Sequence, residues 1–481
     1  MYLGIDLGTS SVKSILIDDE QRLIGEASSA PLDVVRAMPG WSEQDPEIWW
    51  RAVCETLDSL GRAHPVEMSA VEGIGLSGQM YGATVLDEAD RPLRPAILWN
   101  DTRSAAQCAE LERRVPDIKS IAGRKPTPGV TASKLMWLAA NEPETFSRVR
   151  KVLLPKDYIR MLLTGEKVSD LADASGTMWV DLKSRTWSAE LLSATGLSED
   201  HMPRLCEGTE VSGRLRPGLA QRWGMARLPV VAGGGGDNAC GACGTGVIED
   251  GHGTVSLGTS GVLFVANNSP RIAEDFAIET LCHAVPDRWH QMSVVLSATS
   301  CLTWLSKRLK RSPEDLIQSL GAAPRPATDV IFTPFLDGCW SPRNDANIRG
   351  SFHGIAHQHD DEALTQAVLQ GVAFAIAECA EAFRESGTEL KRLMAIGGGS
   401  RSPLWLSILA TALDTELELP DASALGAAFG AARLGMIAAT GARPSEVLRR
   451  PNILDVVPPA AAYADSYAAS FRSWKRQARA N

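Results

Sequence analysis

Leu7-Gly-Thr-Ser-Ser-Val12 returns 250 residues later as Leu257-Gly-Thr-Ser-Gly-Val262, identical at five of six positions. In a chain of 481 residues that offset is about half the length, which constrains the fold to two halves built on one plan. Each copy follows a strand-like entry, Tyr2 to Ile5 or Thr254 to Ser256. Each then leads into another strand-like run, Val12 to Ile17 or Val262 to Ala266. Both therefore read as β-hairpins with a Gly-Thr-Ser turn. Such a turn offers backbone N–H groups and hydroxyls with little side-chain bulk, the chemistry that surrounds phosphate oxygens. Either turn alone also reads as an ordinary serine-rich loop; recurrence in the same context argues against that.

Two glycine clusters follow apolar strands. Val230-Val-Ala-Gly-Gly-Gly-Gly-Asp-Asn238 and Leu393-Met-Ala-Ile-Gly-Gly-Gly-Ser400 either let a ligand approach the backbone or simply turn the chain. Asp45-Pro46 reads as an N-cap and first-turn proline opening a helix to about Leu60. Ala424 to Ile437 reads as a small-residue helix whose Gly426 and Gly430 suit close packing. Tyr463, Tyr467, Phe471 and Trp474 form a core-facing stripe on a C-terminal helix. The sequence places the domain boundary between residues 1–247 and 248–481.

Composition narrows the function. A formal net charge of −10 argues against nucleic acid or an anionic membrane as the main partner. The chain shows no long apolar run and opens on no leader-like segment, so a cytoplasmic protein is expected. Nine scattered cysteines, an odd number, read as reduced thiols, and the lone pair Cys240 and Cys243 as a packing feature. No G-x-x-x-x-G-K-[ST] occurs, which excludes a P-loop. Gly73-Ile-Gly-Leu-Ser-Gly78 matches G-x-G-x-x-G, yet Gln79 to Leu86 behind it reads as a strand rather than the helix that a dinucleotide needs. His353, His357 and His359 read as solvated loop histidines.

Phosphate-cradling turns in both halves, with Asp6 at the first turn and Asp237 after the glycine run, point to phosphoryl transfer. That chemistry needs a carboxylate to help hold Mg²⁺ and another to accept the acceptor hydroxyl's proton. Asp6-Leu-Gly-Thr-Ser-Ser-Val-Lys13, Trp41-Ser-Glu-Gln-Asp-Pro46, Ser77-Gly-Gln-Met80, Ile97-Leu-Trp-Asn-Asp-Thr-Arg103, Leu154-Pro-Lys-Asp-Tyr158 and Gly235-Gly-Asp-Asn238 resemble the FGGY family of carbohydrate kinases, and within it the xylulokinases. Gly129 to Leu138 resembles the family's first signature; the second is recognisable at Gly350 to Ile355 and Ala367 to Gln370, with Ala363 departing from it.

The resemblance implies an α/β fold of two ribonuclease H-like domains, as in actin and hexokinase, with ATP and sugar in the cleft between them. It assigns Asp237 as general base and Asp6 as the carboxylate that positions Mg²⁺ and phosphates, with both near the metal. Gly8, Thr9, Ser10, Ser11 and Lys13 fall on the first phosphate hairpin and Gly258, Thr259 and Ser260 on the second. Gly397, Gly398 and Gly399 fall on the adenosine side, and Gln79, Met80, Tyr81, Trp99, Asp101 and Asn238 around the sugar. Trp99 reads equally as a core tryptophan. The implied reaction is ATP- and Mg²⁺-dependent phosphorylation of a ketose, D-xylulose to its 5-phosphate, and the resemblance is compatible with a homodimer. Tyr81 stands where relatives carry His, and Gly338-Cys-Trp-Ser-Pro342 where they carry Gly-Glu-Arg-Thr-Pro. On this reading Tyr81→His improves D-xylulose relative to other ketoses. A kinase for another pentulose, hexulose or polyol is the alternative; a nicotinamide-dependent oxidoreductase and a non-catalytic sugar-binding regulator are the readings from other classes.

Overall fold

The computed structural model describes residues 1–421 and 426–480, and two seven-stranded sheets organise them. In the first sheet β1 (Tyr2–Leu7), β2 (Val12–Ile17) and β3 (Leu23–Ser28) form an antiparallel meander. On the other side of β1 lies β4 (Gly73–Gly78), parallel to it, followed by β5 (Val211–Arg214) and β6 (Val230–Ala232) in the order β5-β6-β4-β1-β2-β3. The short β7 (Gly235–Gly236) pairs with the end of β4. The G-x-G-x-x-G match is thus itself a buried strand.

The second sheet repeats this plan. It comprises β8 (His252–Leu257), β9 (Gly261–Asn267), β10 (Glu279–Cys282), β11 (Trp289–Val295), β12 (Arg392–Ile396), β13 (Leu417–Pro420) and β14 (Ile453–Val457). Their order is β10-β11-β9-β8-β12-β13-β14. In both sheets the Gly-Thr-Ser turn joins a central hairpin whose first strand has a parallel neighbour and whose second has an antiparallel one. The sequence repeat is therefore a repeat of sheet topology.

Helices cover the sheets. In α1 (Pro46–Ala63) the Asp45 carboxylate caps the Glu47 N–H at 3.0 Å, and Trp49, Val53, Leu57 and Leu60 bury one face against the first sheet. The helices that bear on the site and its support are α2 (Pro155–Thr164), α3 (Asp237–Thr245), α4 (Thr299–Leu309), α5 (Pro313–Ser319), α6 (Asp361–Glu385), α7 (Pro403–Leu413), α8 (Ala427–Thr440) and α9 (Ala464–Ala480). The expected small-residue helix is α8; residues 424–425 of that expectation lie outside the described residues. On α9, Tyr467 and Trp474 are buried as expected. α6 is long and apolar enough to cross a membrane, but it is buried within the second half's own core.

Two helices meet between the halves. α8, from the second half, lies on β1 and β4 of the first sheet, so closely that a Cβ on Gly75 would sit 1.7 Å from the Ala431 carbonyl oxygen and one on Gly4 2.0 Å from that of Ala428. α3, from the first half, lies between the sheets: Ala239 and Cys240 face Gly235 of β7, while Ala242 packs against Phe264, Ala266, Met292 and Met394 of the second sheet. The two helices cross where a Cβ on Gly430 would meet the Cys240 carbonyl at 1.7 Å. Any side chain there would push the helices apart. The buried Arg433 guanidinium closes this crossing by donating to the Cys243 and Gly244 carbonyls at 3.1 Å each, capping the C-terminal end of α3. Cys240 and Cys243 are buried, unpaired thiols on α3. His357 is the exposed loop histidine expected, and the other two differ. His353 bonds Ser351 on a short strand, and the His359 ring is mostly buried, closing a turn through the Ala356 N–H (2.9 Å) and Asp329 (3.0 Å).

Candidate active site

Strand register brings the two candidate carboxylates together. Asp6 stands opposite Ser77, and Ser77 opposite Gly235, so three adjacent strands place Asp237, two residues beyond Gly235, next to Asp6. The Ser77 hydroxyl donates to Asp6 at 2.8 Å. Desolvation raises the Asp6 pKa above the usual carboxylate range, against the pull of Ser77 and Lys13. Asp237 reaches solvent but is hemmed in by protein at short range; desolvation, then the Asp6 charge, push it up to about 7. Asn238 opposes this rise, since its backbone and side-chain N–H groups donate to one Asp237 oxygen at 2.8 and 2.9 Å. Buried Arg160 on α2 holds the Ala232 and Gly233 carbonyls and so fixes the glycine run before Asp237.

The first turn is rigidly held. Gly8 N–H closes it onto the Ser11 carbonyl at 3.0 Å, and the Ser10 carbonyl accepts from the Leu32 N–H at 2.8 Å. The Thr9 hydroxyl donates to the Gln79 side chain and accepts from the Trp99 indole, both at 3.0 Å. Lys13, opposite Asp6 on β2, is ion-paired with Glu26 at 2.7 Å.

The sugar-side residues divide into two kinds. Trp99 is 41% exposed, which excludes the core-tryptophan reading, and offers an indole face for the apolar side of a ring or chain. Met80 packs against Gly236, beside Asp237, and Gln79 is buried behind the first turn. Tyr81 and Asp101 have spent their polar atoms on protein. The Tyr81 phenol donates to Glu279 of β10 at 3.0 Å, its ring lies 5.0 Å from the Arg124 guanidinium, and Arg124 pairs with Glu279 at 2.8 Å. Tyr81 adopts a left-handed backbone, φ +65°, and its carbonyl accepts from the buried Lys134 Nζ at 2.8 Å. Asp101 is buried and accepts from the Ser42 N–H (2.6 Å) and from Arg103 (2.7–3.0 Å), holding in place the loop that carries Trp99.

The second turn is bolted to α4. Gly258 and Thr259 carbonyls accept from the N–H groups of Thr299 (3.0 Å) and Ala298 (2.9 Å), and Thr259 stays exposed. Gly258 N–H bonds the Ser260 carbonyl at 3.0 Å, a closure one residue tighter than the one from Gly8 to Ser11. From Thr299 a cavity of ≈ 700 Å³ runs between α4, α5 and the start of α7, lined by Leu302, Ile317, Gly398, Gly399 and Pro403 among others. Its size and apolar walls suit a purine and ribose. Gly397 (φ +89°) and Gly399 have structural reasons to be glycine, their Cβ positions meeting Leu257 at 2.8 and 2.7 Å; Gly398 has nothing within 4 Å and faces open space.

Sequence reasoning passed over Ser77, Arg160, Thr299, Glu279 and Arg124 as individual residues, and over Gln44, whose buried amide bonds both Thr9 and Gln79. Two adjacent carboxylates, one raising the other's pKa, form an oxygen-donor set suited to Mg²⁺, which takes one or two carboxylates and completes its shell with phosphate and water. Among the described residues no cluster of three or more His, Cys, Asp or Glu could hold a metal without such help.

Comparison with known proteins agrees with this geometry. Residues 1–244 match the N-terminal domain, and residues 253–439 the C-terminal domain, of the FGGY family of carbohydrate kinases. A xylulose kinase of Escherichia coli (strain K12) is 46% identical over 441 residues, covering 91% of this chain and 90% of its own. The crystal structure of a xyloylose kinase from Brucella ovis superposes with a TM-score of 0.97 at 51% identity, covering 100% of this chain and 99% of its own. That of a xylulose kinase from Rhodospirillum rubrum gives 0.92 at 27%, covering 99% and 98%. The fold is the two-domain, actin- and hexokinase-like one of these sugar kinases, and the chain belongs to the FGGY family of carbohydrate kinases.

Proposed function

We propose that this protein transfers the γ-phosphoryl group of ATP to the 5-hydroxyl of D-xylulose. The observation that carries the proposal is a likeness to a xylulose kinase at 46% identity over 91% of the chain, with Asp6, Asp237 and both Gly-Thr-Ser turns in place. In this reading the turns at residues 8–11 and 258–260 hold the polyphosphate, and the cavity beside Gly398 takes the adenosine. Trp99, Gln79 and Met80 line the sugar, Asp101 supports the Trp99 loop, and residues 1–247 and 248–481 supply the two lobes. Asp237 accepts the proton of the attacking hydroxyl, and Asn238 holds the accepting oxygen in place. Asp6 and Asp237 would hold Mg²⁺ together with phosphate oxygens, where the ion neutralises charge on the transferring group. Nine unpaired cysteines support a cytoplasmic setting.

The pH dependence is set by Asp237. A base must be deprotonated, so kcat/KM is expected to fall on the acid side through a limb near pH 7, the value to which desolvation by the surrounding protein and the Asp6 charge raise this group. Removing the Asn238 side chain removes a donor that favours the charged form. Asn238→Ala is therefore expected to move the limb to higher pH, and a limb that stays put in a pH–rate profile contradicts the assignment.

Tyr81 is one of the two departures from the family pattern, and its phenol is committed to Glu279 across to the second sheet. Imidazole is too short to make that bond from the same backbone position, and the Arg124–Glu279 pair loses a partner. Tyr81→His is accordingly expected to cost about 1–3 kcal/mol in urea unfolding, the scale of a buried acceptor left short of a donor. The ratio of kcat/KM values across a ketose panel is expected to stay unchanged; a shift toward D-xylulose places the phenol at the sugar instead.

A further inference from the structure

Gln44 ends the short strand Glu43–Gln44, which pairs with Ala96–Ile97 just ahead of Trp99. Its side chain is fully buried. All four hydrogen-bonding positions of its amide are used: the NH₂ donates to the carbonyls of Thr9 (2.9 Å) and Asp33 (3.2 Å), and the oxygen accepts from the Trp49 indole (3.0 Å) and the Gln79 amide (3.1 Å). A flipped amide would set oxygen against two carbonyls and NH₂ against two donors, so the partners fix its orientation. Gln79 in turn accepts from the Thr9 hydroxyl at 3.0 Å. The result is a closed ring, from the Thr9 carbonyl through Gln44 and Gln79 back to the Thr9 hydroxyl, with Trp99 attached to that hydroxyl at 3.0 Å.

We propose that Gln44 is a positioning residue for phosphoryl transfer, locking the first phosphate turn and the sugar-side residues Gln79 and Trp99 into one rigid element. Gln44 itself contacts neither ligand. It fixes Thr9 by its backbone and, through Gln79, by its side chain, so the turn's amides stand ready for phosphate, and a sugar resting on Trp99 and Gln79 stiffens the same turn. Buried, fully satisfied polar networks of this kind rigidify a site and lose geometry when one member goes. The coupling half of the proposal rests on the ketose kinase reading; the nucleotide half needs only that residues 8–11 hold phosphate.

The test is calorimetric binding of adenylyl imidodiphosphate with Mg²⁺, with and without D-xylulose, to the native protein and to Gln44→Leu. Without sugar, the variant is expected to bind the nucleotide at least ~10-fold more weakly, the scale of one lost charge-assisted contact, and the gain in nucleotide affinity that sugar gives the native protein is expected to vanish. A merely structural role would lower the melting temperature and leave both quantities intact. A folded Gln44→Leu protein with native nucleotide affinity overturns the proposal. If Gln44→Leu does not fold, Trp49→Phe decides, since it removes one donor to Gln44: weaker nucleotide binding supports the proposal and unchanged binding overturns it. If the native protein binds nucleotide but leaves D-xylulose unphosphorylated, the substrate reading fails, while the sugar-free arm still decides the role of Gln44.

Discussion

Asp237→Asn is expected to lower kcat for sugar phosphorylation by at least ~10²-fold while leaving nucleotide affinity and fold in place, because general-base catalysis contributes on that scale. Asn is isosteric and can still accept from Asn238, so the variant keeps the geometry and removes the carboxylate charge on which proton acceptance and the hold on Mg²⁺ both depend. The same variant makes a second, independent prediction with the opposite sign. Asp237 has a folded-state pKa raised from 3.8 to about 7, so the folded protein holds its proton more tightly than the unfolded chain, and the charged carboxylate costs stability as pH rises. Asp237→Asn relieves that cost. It is expected to stabilise the protein fully above about pH 7 and not at all below 3.8. Urea unfolding at several pH values checks this, and equal stability at all of them contradicts the electrostatic account of Asp6 and Asp237. A gain in stability with a loss of activity is what a like-charged catalytic pair produces.

The second large effect concerns the paired turns. A Cβ on Gly258 would meet only the Ser260 carbonyl, at 3.4 Å, and one on Gly8 only that of Ser11, at 3.0 Å. Neither position needs a left-handed backbone. A side chain at Gly258 therefore meets ordinary contact and one at Gly8 asks the turn to give by a few tenths of an ångström, so what it chiefly displaces at both is a ligand lying on the turn. Gly8→Val and Gly258→Val are each expected to raise KM for ATP about 10²-fold, the equivalent of two hydrogen bonds to charged oxygens at about 1.5 kcal/mol each, with D-xylulose affinity little changed. Steady-state kinetics with ATP varied at saturating sugar reads this directly. An effect at only one of the two turns breaks the symmetry on which the two-hairpin assignment rests.

Much of this architecture is legible in the sequence, for reasons that particular residues make plain. The recurrence of Leu-Gly-Thr-Ser announces two sheets with equivalent hairpins because only small residues with available amides fit that turn, and topologically equivalent strands carry both copies in the structure. Gly426 and Gly430 announce close packing for different reasons: a Cβ on Gly430 has no room, whereas the Gly426 backbone is what a Cβ on Gly244 of α3 would strike, at 2.6 Å. What the sequence hides is which surface receives the packing. The small residues of α8 would suit either sheet, and their placement on the first, crossing α3, is decided by contacts between distant parts of the chain. Trp99 comes after the apolar pair Ile97-Leu98, so local pattern alone cannot separate a core ring from an exposed one. The Tyr81 phenol finds Glu279 198 residues away, and Gln44 finds Thr9 and Gln79 35 residues to either side. Polar networks of this kind carry no periodicity and become visible only once the strands are in register.

Phosphoryl transfer to D-xylulose is tested most directly by product analysis. Native protein, ATP and Mg²⁺ are incubated with D-xylulose and, separately, with a panel of other pentuloses, hexuloses and polyols, and products are resolved by phosphorus NMR alongside kcat/KM for each acceptor. The expected product is D-xylulose 5-phosphate, formed with the highest kcat/KM of the panel and at least ~10²-fold more slowly by Asp237→Asn. No transfer to D-xylulose, or a higher kcat/KM for another acceptor, would contradict the assignment.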